Sequence, residues 1–95
     1  MIDLDFEWDD IEAAENVRKH AVSFAQAALA FRDPFGVEWI DLRGDYGEER
    51  IILLGVAGNH LLNVVYTERE ERIRIVSARR ATKDEQDIYY RQNAP

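Results

Sequence analysis

Between residues 37 and 78 the sequence alternates short apolar runs with turn residues, and this pattern limits the fold more than any other feature. Four runs have the length and composition of strands: 37–40, 51–56, 61–66 and 72–78. Ala57-Gly58-Asn59 predicts a hairpin turn, and residues 44–47 and 68–71 predict the other connections. Because short connections favour antiparallel neighbours, this part of the chain is predicted to form an antiparallel sheet.

Helices are predicted before and after these strands in the sequence, from three N-terminal capping signatures. Each places Glu or Gln three positions after a capping residue, at Asp9 and Glu12, Ser23 and Gln26, and Thr82 and Glu85. The first helix is predicted to run to about His20. The second follows after about three residues and ends at Asp33-Pro34, so the two form a tight helical hairpin.

The N-terminal segment completes the predicted fold. A strand with one solvated face is predicted from apolar residues that alternate with acidic ones, namely Ile2, Leu4 and Phe6. The apolar side of the first helix is predicted at Ile11, Ala14 and Val17. The element order is β-α-α-β-β-β-β-α. We therefore predict one α+β domain over residues 1–95, with four to five antiparallel strands and the helices on one face.

Charge and composition exclude several classes of function. Residues 1–15 contain seven acidic side chains and no base, and the remaining charges balance at twelve of each sign. An acidic chain disfavours nonspecific binding of nucleic acid over its whole surface, but it permits a basic protein partner and a local anion site. No cysteine is present and the two histidines lie far apart, which disfavours a metal site. The acidic start is unlike a signal peptide and no apolar run approaches about 20 residues, so a soluble cytoplasmic protein without cofactor or membrane segment is expected.

A basic segment near the C terminus is the main candidate for chemistry. Half of all lysines and arginines lie on or beside the last predicted strand: Arg69, Arg72, Arg74, Arg79, Arg80 and Lys83. Arg79 is predicted to share a face with Ile73, Ile75 and Ser77, at the end of the strand. Arg79 and Arg80 also precede the capped start of a helix, where free N–H groups favour a phosphate. The alternative is that arginines of this strand form exposed ion pairs with nearby glutamates.

Other candidates are weaker. His20 follows Lys19 at the end of the first helix, where it either complements the helix C terminus or titrates beside a phosphate. Arg50 and Glu49 begin an apolar strand, and they form either an ion pair or part of the same basic face. His60 is interpreted as a turn residue, and the aromatic side chains are interpreted as core.

The chain resembles the BrnT family of type II toxin–antitoxin toxins over nearly its whole length. The matching segments are FEWD at 6–9, Asn16 with KHAVSF at 19–24, Phe31 with Asp33-Pro34, YGEER at 46–50, Gly55, VVYTER at 64–69, IRIVSARRAT at 73–82, Glu85, and a tyrosine near the end. KHAVSF followed by a distant IRIVSARRAT is the most specific part of this combination. The resemblance implies a RelE-like fold and a small ribonuclease that blocks growth by cleaving RNA without a metal.

The resemblance also implies partners and residue roles. The partner is a BrnA-like DNA-binding antitoxin, through which the complex reaches operator DNA. His20 is expected to act as general base or acid, while Arg50, Arg79 and Arg80 stabilise the charge on the phosphorane. Glu49 is expected to orient an arginine or to share in proton transfer. The residues expected to bind RNA are Lys19, Arg74 and Lys83.

Two positions depart from the family pattern. Members often have lysine near Glu12 and glycine at Ala21. Glu12 removes a positive charge, and Ala21 predicts a different end for the first helix, because a positive φ costs alanine about 1 kcal/mol. Together with the acidic N terminus, Glu12 supports an alternative function, a binding module that mainly holds an antitoxin.

Overall fold

The computed structural model describes residues 5–44 and 47–94. Its elements follow the predicted order: β1 (Phe6–Glu7), α1 (Asp10–His20), α2 (Phe24–Leu29), a 3₁₀ turn (Ala30–Arg32), β2 (Val37–Ile40), β3 (Ile51–Ala57), β4 (His60–Arg69), β5 (Arg72–Arg80) and α3 (Lys83–Gln92). The predicted strand positions Ile2 and Leu4, and Tyr46 of the loop, lie outside the described residues. The predicted α+β class is confirmed.

The helices start where the capping signatures predict. Asp9 Oδ1 accepts from the N–H groups of Ile11 and Glu12, and Ser23 caps α2 in the same way. Thr82 and the Glu85 side chain cap α3 reciprocally. The end of α1 differs from the prediction, since Ala21 adopts the left-handed conformation with φ 58°. The chain therefore tolerates at Ala21 the cost that glycine would avoid.

The sheet is mixed, with strand order β1-β5-β4-β3-β2. The four strands β2 to β5 pair antiparallel, as predicted, whereas the short β1 pairs parallel with β5. β1 covers only Ile73 and Arg74 of β5, so the rest of that edge of β5 has no neighbouring strand among the described residues. The helix α1 lies beside this open edge.

A bulge in β5 changes the face on which Arg79 lies. Val65 pairs with Ser77 while Tyr66 pairs with Ile75, so Val76 is an extra residue on β5. Ile75 stays in the core, but Ser77 and Arg79 move to the opposite face of the sheet. The prediction that Arg79 continues the face of Ile73 and Ile75 is therefore wrong.

The main core lies between the sheet and the helical hairpin. Its buried residues include Phe24, Ala27, Leu62, Val64 and Ile75. At Gly55 the 3₁₀ turn approaches the sheet so closely that an added Cβ would lie 2.6 Å from the carbonyl oxygen of Ala30. Only glycine permits this contact.

Two expectations about the helices are wrong. α3 does not join the hairpin, because Glu85 bonds to Asn63, whose side chain lies on the face opposite Val64. The apolar side predicted for α1 is also exposed, with Ile11 77% and Val17 48% accessible. Within the described residues, no helix is long and apolar enough to span a membrane.

Candidate active site

Arg79 belongs to a cluster of charge-assisted hydrogen bonds around the carboxylate of Glu85. Arg79 Nη1 and Nη2 donate to Glu85 Oε1 and Oε2 at 2.8 and 2.9 Å. Asn63 Nδ2 donates to Oε2 at 2.8 Å, and the N–H of Thr82 donates to Oε1 at 2.9 Å. Four donors surround one carboxylate, which links β4, β5 and the start of α3.

This cluster changes the role of Arg79. The bidentate ion pair offsets the guanidinium charge, and Glu85 also takes the Thr82 N–H at the start of α3. The predicted phosphate cradle at Arg79 and the helix terminus is thus filled by a carboxylate of the chain itself. Arg79 holds the end of β5 in place.

The same bonds determine the pKa of Glu85. Burial raises that pKa, but hydrogen bonds from Arg79, Thr82 and Asn63 outweigh burial and lower it from its ordinary value of 4.5 to about 2. Because the pKa is lower in the folded chain, the ionised carboxylate stabilises the fold fully above pH 4.5. That stabilisation is lost as the pH falls toward 2.

We expect Glu85→Gln to lower the free energy of unfolding at neutral pH by about 2 kcal/mol. Glutamine cannot ionise, and its amide N–H₂ would face the donors of Arg79. The loss of stability on acidification should therefore be smaller in the variant than in the wild type. Urea unfolding from neutral pH to about pH 3 measures both effects.

Asp84→Asn is the matched control for this prediction. Asp84 is an exposed carboxylate in the first turn of the same helix. This variant should lose as much stability as the wild type on acidification. An equally steep loss in Glu85→Gln would show that Glu85 is not the titrating group.

Arg80 lies at the end of β5 with its guanidinium against the imidazole of His60. Arg80 Nη2 lies 2.7 Å from His60 Nδ1. A guanidinium can only donate, so Nδ1 accepts and the ring hydrogen lies on Nε2. Arg80 is exposed, and a ligand can therefore reach its other N–H groups.

Sequence reasoning missed this role of His60. Arg80 pairs with Leu62, and His60 lies two residues earlier on β4, so both side chains share a face. The register of β5 against β4 brings the two side chains together. That register depends on the bulge at Val76, which the residue pattern does not reveal.

α1 is fixed to the open edge of β5 by Asn16. Its Nδ2 donates to the carbonyl oxygens of Ala78 at 2.7 Å and Val22 at 2.9 Å. Its Oδ1 accepts from the Ala78 N–H at 3.1 Å, so the amide binds β5 as a neighbouring strand would. His20 lies one helical turn past Asn16, at the C-terminal end of α1.

A groove of about 330 Å³ lies between α1 and β5. Lys19 and His20 line it from the C-terminal end of α1, and Val76 and Ser77 line it from β5. Both basic side chains are exposed. The groove thus adjoins β5 at Val76 and Ser77, and Arg80 follows three residues later at the end of that strand.

Arg50 and Glu49 lie at the other end of the sheet. Arg50 precedes β3, and the carbonyl of Glu49 accepts from Thr67 Oγ1 at 3.0 Å. The residue of β3 level with Arg79 is Leu54, and four strand residues, about 13 Å, separate it from Arg50. The structure does not bring Arg50 and Glu49 together with Arg79 and Arg80.

The remaining candidates form ion pairs. Arg74 Nη1 lies 3.1 Å from Glu7 on β1, where both side chains are about one quarter exposed. Lys83 Nζ lies 2.7 Å from Asp87 one turn along α3, in an exposed pair of small energetic weight. In the part of the chain that is described, no group of three or more His, Asp or Glu residues could hold a metal ion.

A family model described as "Ribonuclease toxin, BrnT, of type II toxin-antitoxin system" matches residues 8–85. This match includes α1, the whole of β2 to β5 and the start of α3. No curated protein matches the chain.

Proposed function

The chain belongs to the BrnT family of ribonuclease toxins of type II toxin–antitoxin systems, and from this membership we propose that it is an endoribonuclease acting at the end of β5. The family implies an antitoxin partner. The active side chains are proposed to be His20, Arg80 and Lys19, with His60 as a positioning residue.

One observation carries this proposal. The guanidinium of Arg80 is exposed yet held by His60 at 2.7 Å, at the end of the strand that lines the groove with Lys19 and His20. A cation fixed before the substrate arrives stabilises developing negative charge without a cost of reorganisation. The exposed imidazole of His20 in the adjoining groove supplies a group that can accept and donate a proton.

The reaction follows from these groups. His20 removes the proton from a ribose 2′-OH, whose oxygen forms a bond to the adjacent phosphorus. The bond from phosphorus to the 5′ oxygen breaks, and that oxygen takes up a proton from the imidazolium of His20 or from water. The products are a 2′,3′-cyclic phosphate and a 5′-OH. Arg80 stabilises the charge on the phosphorane, and no metal takes part.

The other candidate residues take no direct part in the bond changes. Lys19 binds the RNA backbone within the groove. Lys83 and Arg74 do not line the groove and are proposed to be weaker phosphate contacts. Arg79 acts by holding the end of β5 through Glu85. Arg50 and Glu49 are left out of this proposed site, because Arg50 lies four strand residues from the position of β3 level with Arg79.

In the cell, this activity is proposed to block growth from the cytoplasm until an antitoxin binds. The partner is a BrnA-like DNA-binding antitoxin, which brings the complex to its operator DNA. An acidic chain with a net charge of -7 gains little from binding DNA itself, so a DNA-binding partner complements it.

The alternative function is a binding module with weak or absent catalysis. Two observations favour it, the ion pair that offsets the charge of Arg79 and the carboxylate of Glu12 in the groove. Expression of the chain alone distinguishes the two functions. Growth arrest with breakdown of RNA supports the nuclease, whereas normal growth with soluble, folded chain supports the binding module.

A defined RNA oligonucleotide tests the chemistry with purified chain. We expect cleavage in the presence of EDTA, with a 2′,3′-cyclic phosphate on one product and a 5′-OH on the other. A matched oligonucleotide with 2′-deoxyribose at the cleaved position should remain intact, because it lacks the attacking hydroxyl. Cleavage of the deoxyribose control, or a requirement for a divalent metal, would contradict the mechanism.

A further inference from the structure

The groove between α1 and β5 contains a carboxylate that the proposed cleavage does not use. Glu12 lines the groove, and among the residues described its carboxylate forms no hydrogen bond or ion pair. The neighbouring Glu15 is bonded to Arg18 at 2.7 and 3.1 Å. The amide of Asn16 is taken by backbone groups. Glu12 is therefore the acidic group that a ligand in the groove would meet.

A carboxylate in a groove for RNA needs a specific reason. It repels phosphate, so it lowers affinity unless it accepts hydrogen bonds from the ligand. The groups of RNA that donate strongly are the amino and ring N–H groups on the edges of bases. Glu12 thus favours contact with a base edge and disfavours contact with the backbone.

The acidic, apolar and basic residues of the groove complement the base edge, the base face and the phosphate of a nucleotide. Glu12 lies near the start of α1, and Lys19 follows seven residues later, about 10 Å along the helix axis. Ile11, which is 77% exposed, and Val76 supply apolar surface to the lining of the groove. A nucleotide has donors on its base edge, an apolar base face and a phosphate at its other end.

We propose that this groove binds an unpaired guanine of the RNA substrate and that Glu12 selects it. The inference rests on the proposed function, because Lys19 and His20 would hold the adjoining phosphate. Guanine presents N1–H and N2–H₂ side by side, which matches the two oxygens of a carboxylate. Uracil presents a single N–H between two carbonyl oxygens, which repel the carboxylate. Adenine and cytosine place an acceptor nitrogen beside their amino group.

Binding of non-cleavable RNA tests the site. The probes are labelled uridine-rich oligonucleotides with 2′-O-methyl ribose, each with guanosine, inosine or uridine at one central position. Fluorescence polarisation should give binding of the guanosine probe about 10- to 100-fold tighter than the uridine probe. Inosine lacks the 2-amino group and should fall between them. Glu12→Gln should remove most of the preference for guanosine.

Asp10→Asn is the control, because it removes the same charge from the same helical turn without lining the groove. This variant should keep the preference. Equal binding of the guanosine and uridine probes, or an equal loss in Asp10→Asn, would overturn the inference. Unmodified oligonucleotides test cleavage separately. Guanine-selective binding without cleavage would contradict the proposed function but support the guanine site. Cleavage without base selection would contradict the guanine site but support the proposed function.

Discussion

Replacing Asn16 with alanine is expected to lower the free energy of unfolding by about 3 to 5 kcal/mol. Asn16 is 6% exposed and makes three hydrogen bonds to backbone groups of Ala78 and Val22. Alanine would leave one N–H and two carbonyl oxygens without these partners, and it would leave a void beside them. Such a loss is a large part of the stability of a domain this small. Urea or thermal unfolding measures it.

Two variants make this prediction specific. Asn16→Asp keeps the size but replaces the amide donor with an oxygen that faces two carbonyl groups, so it should be at least as damaging at neutral pH. Glu15→Ala changes the adjacent exposed residue and should leave the free energy of unfolding close to that of the wild type. Unfolding of Asn16→Ala at the same urea concentration as the wild type would show that β5 does not depend on this amide.

Replacing Arg80 with alanine is expected to slow RNA cleavage by about 10²- to 10³-fold. The guanidinium would no longer stabilise the phosphorane, while stability should change little because Arg80 is exposed. Arg80→Lys keeps the charge but loses the fork geometry, so it should recover only part of the rate. Single-turnover rates with one defined oligonucleotide measure the loss, beside urea unfolding of each variant.

Arg72→Ala provides the control, since it removes an exposed arginine at the other end of the same strand. Its cleavage rate should stay close to that of the wild type. His60→Ala should reduce the rate less than Arg80→Ala, and His60→Asn should restore part of it by offering an oxygen to the guanidinium. Equal rates for Arg80→Ala and Arg72→Ala would exclude Arg80 from the reaction.

Local signals in the sequence predicted the elements correctly. Asp9, Ser23 and Thr82 cap their helices because capping depends on residues only three positions apart. The hairpin at Gly58 also depends on a few adjacent residues. The order of elements and the α+β class followed from these short-range features.

Features that depend on distant residues were predicted less well. The apolar side expected for α1 faces solvent, because α1 lies beside a strand edge that requires the polar side chain of Asn16. The face of Arg79 changed because one extra residue at Val76 reverses the alternation of β5. The pair of Arg80 with His60 then follows from a register that no short pattern encodes.

The contact between α1 and β5 affects when the chain becomes active during synthesis. The side chain of Asn16 bonds to Ala78, which lies 62 residues later in the chain. α1 therefore has no strand to pack against until β5 has been made. Contacts that span most of a chain form late, since the long loop between them must close first. On the ribosome, residues up to His20 therefore emerge long before β5, which carries Arg80 and holds α1 through Ala78. A nascent chain that lacks β5 therefore has no complete site, and the proposed nuclease is assembled only after β5 has left the ribosome that made it.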